Sequence, residues 1–324
     1  MTIAIDVDSP WLRGAQPNEF RNEEIAPGEY FAVADEPGKR SFGIWQFTGE
    51  DAQRVDLGPG VVSPRIEVPT GVDLTKALRA GGLSNFYFTV QRLELAPGAF
   101  YPGIARPDTS SYGAAAFQAP DYSWRERELI ASLLQLRSLY RSLEEIFQVV
   151  HPVQANLATF GNSIRDLIIL ASTECEAQWK AVLRLNKYGR DKPTRTDYQK
   201  LGRPMRLSEF TVILQHYRDF EPLVPFAGWD VIQANAPLPW YDDYNAVKHD
   251  RAGSFERATL ATALNAIAAC WVMIAAQYGY RALRELSDLQ DKMRIWYAPR
   301  WRLAECYWAE GRGFSPDAEI FYPF

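Results

Sequence analysis

The residues best equipped for chemistry lie between positions 238 and 251, in the run LPWYDDYNAVKHDR. Pro237 and Pro239 bracket a helix start, because the N–H that proline lacks would have no partner in a first turn. Asp242 and Asp243 follow in that turn, where the helix dipole favours negative charge. From there Asp242, Asn245 and His249 share one helical face, and Tyr241 reaches Asn245 and His249 at steps of four. Lys248 and Arg251 form a basic edge beside them. An imidazole titrates near neutral pH and serves as general acid or base. An amide can orient it, and neighbouring cations suit a phosphate. The expected catalytic group is therefore His249 with Asn245 and Lys248. Lys248 and Arg251 are the expected phosphate contacts, and Asp242, Tyr241 and Glu176 the supporting residues. The same spacing also fits a solvated helical turn, and both readings stand at this level. A third uses the carboxylates Glu174, Glu176 and Asp242 on a small molecule, although positions 174 and 176 cannot share a helical face.

These residues need helices to hold them. Residues 124–150 place Leu129, Leu133, Leu136, Leu139, Tyr140, Leu143 and Phe147 at three- and four-residue steps, which predicts a long amphipathic helix broken at His151-Pro152. A second helix is expected over about 153–186, with Glu176 and Lys180 paired at i, i+4. Gly253 ends or bends the helix of the central run, and Ser254 is placed to cap the next one, over 254–279. Residues 258–280 carry no charge and are long enough to span a bilayer. Thr259, Thr262 and Asn265 nevertheless stripe the segment, and arginines flank both ends, so a helix buried in a bundle is expected and no membrane contact.

Before the helices, residues 1–120 read as β-rich, a small sandwich or barrel. SFGIWQFTG and NFYFTVQRLEL carry aromatic and β-branched residues at strand spacing, the second with a phase slip that fits a bulge. Dense Pro-Gly and Gly-Gly pairs separate them. From about 106 to 123, proline, glycine, serine and alanine suggest a linker. Residues 208–225 read as an extended excursion, and 293–308 as strands that return to the N-terminal region. The fold class is thus α+β: a β-rich domain over 1–120, then a helical domain over 121–324 with C-terminal strands and an aromatic tail.

Composition narrows the function. With 47% hydrophobic and 23% charged residues the chain can bury cores, and 324 residues suggest two domains. A net charge of −5 argues against polyanion binding by bulk charge. The charge is uneven, however. Acids dominate the first 60 residues, whereas eight lysines and arginines from Arg184 to Arg206 face only Asp191 and Asp197. Tyr188 and Tyr198 are interleaved with these bases, a composition that serves single-stranded nucleic acid by stacking and phosphate pairing, or forms a solvated loop. His151, His216 and His249 are the only histidines, which excludes a multi-histidine metal site in the β-rich region, and no cofactor is implied. Cys175, Cys270 and Cys306 form no C-x-x-C pair, and MTIAIDVDSP has no signal-peptide pattern. Reduced thiols and a cytoplasmic location are expected.

Two long helices, a loop, and then Asn245-Ala-Val-Lys248-His249 running into an apolar helix resemble the HEPN superfamily, over about residues 124–280. That resemblance implies a small helical bundle, often a homodimer, and in many members metal-independent RNA cleavage across a dimer cleft. The family signature is R-N-x-x-x-H. Asn245 and His249 match its amide and imidazole, while Tyr244 stands at the arginine position, leaving Lys248 and Arg251 as the adjacent cations. Two functions follow as expectations: an RNA-directed protein, cleaving or merely binding RNA, or a non-catalytic dimeric scaffold whose β-rich region holds a partner or ligand.

Overall fold

The structure is a computed structural model that describes residues 22–35, 41–57, 60–83, 88–108, 116–217, 220–230, 236–284, 287–309 and 314–324. Its contacts divide the chain into two compact units: residues 1–101, 106–120 and 300–320, and residues 102–105, 121–299 and 321–324. The fold is α+β, with an N-terminal antiparallel sheet, a helical part, and a strand near the C-terminus.

The β-rich part takes the form of one five-stranded sheet. Strands β1 (Tyr30–Asp35), β2 (Ser41–Phe47), β3 (Asp51–Arg54), β4 (Arg65–Glu67) and β5 (Phe88–Arg92) lie in the order β4-β3-β2-β1-β5, all neighbours antiparallel. The register sets Phe31 opposite Trp45 and Val33 opposite Val90, so aromatic and β-branched side chains form one buried layer with Phe88. Helix α1 (Leu74–Ala80) adds Ala77 and Leu78 to it and is capped by Asp73, which accepts from the Lys76 amide. The register shift in this sheet falls between Ala32 and Ala34 on β1, whereas β5 ends at Arg92, where a bulge was expected.

The expected linker is instead a strand pair. Strands β6 (Arg106–Asp108) and β7 (Ala116–Gln118) pair antiparallel, with Arg106 opposite Gln118. Arg106 is 2% exposed. It donates to both Glu94 carboxylate oxygens at 2.8 and 3.0 Å and to the Glu305 carbonyl at 3.1 Å, between the rings of Tyr101, Trp301 and Tyr307. Proline and glycine there mark turns between paired strands, which composition alone does not separate from a flexible connection.

In the second unit α2 (Glu126–Phe147), α3 (Asn162–Leu185), α5 (Pro239–His249) and α7 (Leu260–Tyr278) pack together, α7 touching the other three, with the short helices α4 (Arg195–Gln199) and α6 (Arg251–Ser254) between them in the chain. The leucine stripe predicted for α2 is buried as expected. Helix α3 begins later than its periodicity suggests, after a 3₁₀ turn at Gln154–Asn156, and α7 begins at Leu260. Thr259 provides the cap expected of Ser254, accepting from the Thr262 amide. Alanines along α7 allow close helix approach, and it is the one described helix long and apolar enough for a bilayer, with its surface buried inside this unit. The extended excursion is β8 (Thr211–Leu214), paired antiparallel with β9 (Met293–Tyr297). The strand reading of 293–308 holds only to Tyr297, and Leu303–Glu305 is a 3₁₀ turn.

Candidate functional site: a basic cleft beside the central helix

Trp179 positions the site. It is fully buried on α3, and the rings of Tyr198, Trp229 and Tyr241 lie 5.0, 5.1 and 5.2 Å from its own. Tyr198 belongs to α4 (Arg195–Gln199), a short helix inside the basic segment, where Gly189, Pro193 and Gly202 suggest a loop. Its signal was Thr194 three residues before Asp197, the spacing of a reciprocal cap: Asp197 accepts from the Thr194 amide and hydroxyl at 2.7 and 2.9 Å. Gly202 allows α4 to close on its neighbour, since a Cβ there would stand 2.1 Å from the Trp229 carbonyl oxygen.

Helix α5 starts at Pro239 as the prolines predicted, yet its polar residues go to separate partners. Asp242 receives Arg195 at 2.5 and 3.3 Å, and Arg195 also donates to the Ala236 carbonyl. Asp243 is held by Arg257 and by the Thr262 hydroxyl of α7. Tyr241 is buried and donates to Glu176 at 2.8 Å, while Lys180 donates to the other Glu176 oxygen at 3.4 Å. Burial, and then that carboxylate, hold the Tyr241 phenol protonated far above its ordinary range, and Tyr198 is pushed up to about 12 by burial and then by Glu176. Asn245 donates to the Tyr241 carbonyl of its own helix at 2.9 Å, not to His249. Lys248 donates to the Tyr244 hydroxyl at 2.7 Å, a bond that raises its pKa. The His249 ring is exposed at the helix end and makes no hydrogen bond to a described residue. The side chain of Arg251, the other expected phosphate contact, lies outside the described residues. The structure thus joins Tyr241 with Glu176, and Asp242 with Arg195, but does not bring Asn245 to the imidazole.

Beyond Glu176 the same face of α3 becomes basic. Glu176, Lys180 and Arg184 step by four residues, and the chain then turns through Lys187. A cleft of about 450 Å³ opens there, lined by Lys180, Arg184, Lys187 and Arg190 with Tyr188 and Asp191. Its walls are fixed from below. Asp197, 3% exposed, accepts from the Tyr188 hydroxyl at 2.5 Å and from Arg190 at 2.7 Å. Burial pushes the Asp197 carboxyl up, but the Thr194 amide, the Tyr188 and Thr194 hydroxyls and Arg190 outweigh it and hold it well below the usual carboxylate range. Lys200 donates to the Tyr188 hydroxyl at 3.0 Å and lies over its ring. The two interleaved tyrosines therefore differ: Tyr198 is sealed against Trp179, and only Tyr188 lines the cleft.

The aromatic tail completes this region. Phe324 meets the Tyr188 ring edge-on, the Lys187 ammonium lies 3.8 Å from the Phe321 ring centre, and the Tyr322 amide donates to Asn186. Sequence reading did not locate this docking, because a run of aromatics names no partner. Among the described residues no three His, Cys, Asp or Glu side chains converge as a metal site would require. No family model, curated protein or solved structure matches this chain.

Proposed function

We propose that this chain is an RNA-directed protein whose helical part, HEPN-like in the order of its helices, binds single-stranded RNA through the basic cleft at the end of α3. The observation that carries the reading is the gathering of Lys180, Arg184, Lys187 and Arg190 around one cleft beside Tyr188 in a chain of net charge −5. Cations along a groove track phosphates, and an aromatic ring gives a base something to stack on. Binding rather than cleavage is the favoured form, because the amide that would orient His249 is bonded to its own helix and Lys248 is bonded to Tyr244. Each phosphate neutralised on a single strand contributes about −0.7 to the slope of log affinity against log salt, so four contacts give about −3. Fluorescence anisotropy with a labelled single-stranded oligoribonucleotide measures that slope. Lys180→Glu with Arg184→Glu should remove most of the binding; unchanged affinity in this double variant sinks the proposal.

One observation favours a second reading. An exposed imidazole with no partner among the described residues stands at the end of α5, open to substrate, and catalytic hydrogen bonds often form only in the complex. If His249 cleaves RNA, His249→Ala abolishes product while leaving RNA affinity intact; identical cleavage by both proteins ends this reading.

A further inference from the structure

The cations of the cleft are not equally committed. Lys180 is shared with Glu176, and Arg190 is bound to Asp197. Arg184 and Lys187 have no carboxylate partner among the described residues, although both line the cleft. Lys187 is also unusual in its backbone. It follows the C-terminal residues of α3 at φ +52°, in the left-handed region where glycine is the ordinary choice after a helix. The turn it makes is well bonded: the amides of Lys187 and Tyr188 donate to the carbonyls of Arg184 and Leu183 at 3.0 Å. Those bonds occupy carbonyls whose partial negative charge would otherwise oppose an anion at a helix C-terminus. A lysine held where glycine would be easier, with its side chain on a basic cleft, points to a use for its charge.

We infer that the ligand group of this cleft is a terminal phosphate, the 5′-phosphomonoester of a single-stranded RNA, held between Arg184 and Lys187 with Tyr188 beside the terminal base. This rests on the RNA reading above and adds which part of the RNA is recognised. An internal phosphodiester carries one negative charge, whereas a monoester carries about −1.5 to −2 near neutral pH, which matches two cations that have no carboxylate partner among the described residues. A cleft of about 450 Å³ has room for a terminal nucleotide entering from one side.

The test compares one oligouridylate bearing either a 5′-phosphate or a 5′-hydroxyl, each labelled at the 3′ end, against the full chain. The phosphorylated RNA should bind at least about tenfold more tightly near pH 7, and the preference should shrink near pH 5 as the monoester dianion takes up one proton. Lys187→Gly should lose the preference while its thermal unfolding midpoint stays equal or rises, because glycine relaxes the left-handed turn. Arg184→Gln should lose the preference too. Equal affinity for the two RNAs overturns the terminal-phosphate inference and leaves the RNA reading standing; binding of neither RNA removes both. Uridine 5′-monophosphate is the competitor that separates the sources of the phosphate: it should compete only weakly, and competition as strong as that of the phosphorylated oligomer replaces the RNA end with a free nucleotide.

Discussion

At the scale of single residues, Asp197 governs the cleft more than any cation in it. Four donors from three residues converge on its carboxylate, fixing Tyr188 and Arg190 at once. Because its folded pKa is depressed, its contribution to stability is complete above the unfolded value of about 4 and is lost as pH falls below that value. Acid titration followed by circular dichroism should therefore show wild-type stability declining below about pH 4. Asp197→Asn should show a flatter acid limb and be less stable near neutrality by about 1–3 kcal/mol, the cost of leaving buried partners unsatisfied. A variant with the wild-type acid limb would show that these contacts do not hold the carboxyl down. Lys187 makes the opposite case. An L-residue in the left-handed region costs about 1–2 kcal/mol, so replacement by glycine removes charge and backbone strain together, and RNA affinity should fall while stability holds or rises.

At the scale of elements, the site depends on α3, α4 and α5 meeting at Trp179. Its ring touches aromatic side chains from α4, α5 and the Phe226–Trp229 turn, so Trp179→Ala leaves a cavity shared by all three. A loss of about 3–5 kcal/mol is expected on chemical denaturation. The indole removed is also the surface that seats Tyr198 on α4, so RNA affinity should fall in the same variant. Gly202→Ala tests the same junction by overfilling it. With the Trp229 carbonyl in the way, about 1–3 kcal/mol should be lost; a neutral result would mean the turn can shift without cost. Helix α5 shows why one-dimensional spacing misleads. Asp242, Asn245 and His249 do share a face, but Arg195 takes the first, the Tyr241 carbonyl takes the second, and the third stands at the helix end.

At the scale of the whole molecule, a negative chain carries a local positive site, so binding should be selective rather than a bulk effect of charge. The HEPN resemblance further implies a homodimer. Sedimentation velocity on the full chain checks this directly: a monomer at working concentration would remove a two-copy site around His249 and leave the cleft, which lies within one unit, untouched. The acidic N-terminal part remains the natural place to seek a partner under the scaffold reading. Of the eleven acids in the first 60 residues, Asp6, Asp8, Glu19 and Glu36 lie outside the described part of the chain.

The sequence by itself determined the α+β class, the stripe of α2, the proline start of α5 and the excess of cations from Arg184 to Arg206. Each of these is local: periodicity, propensity and composition act over a few turns of chain, and a linear reading sees them whole. Tertiary structure alone decided that 106–118 pairs as strands, that Tyr198 is sealed while Tyr188 is open, and that Asn245 turns away from His249. It also decided that Arg195, 47 positions upstream of Asp242, neutralises a carboxylate read as part of the site. Such choices arise from competition among distant groups for the same donors and the same buried volume, and no spacing along the chain records which competitor wins.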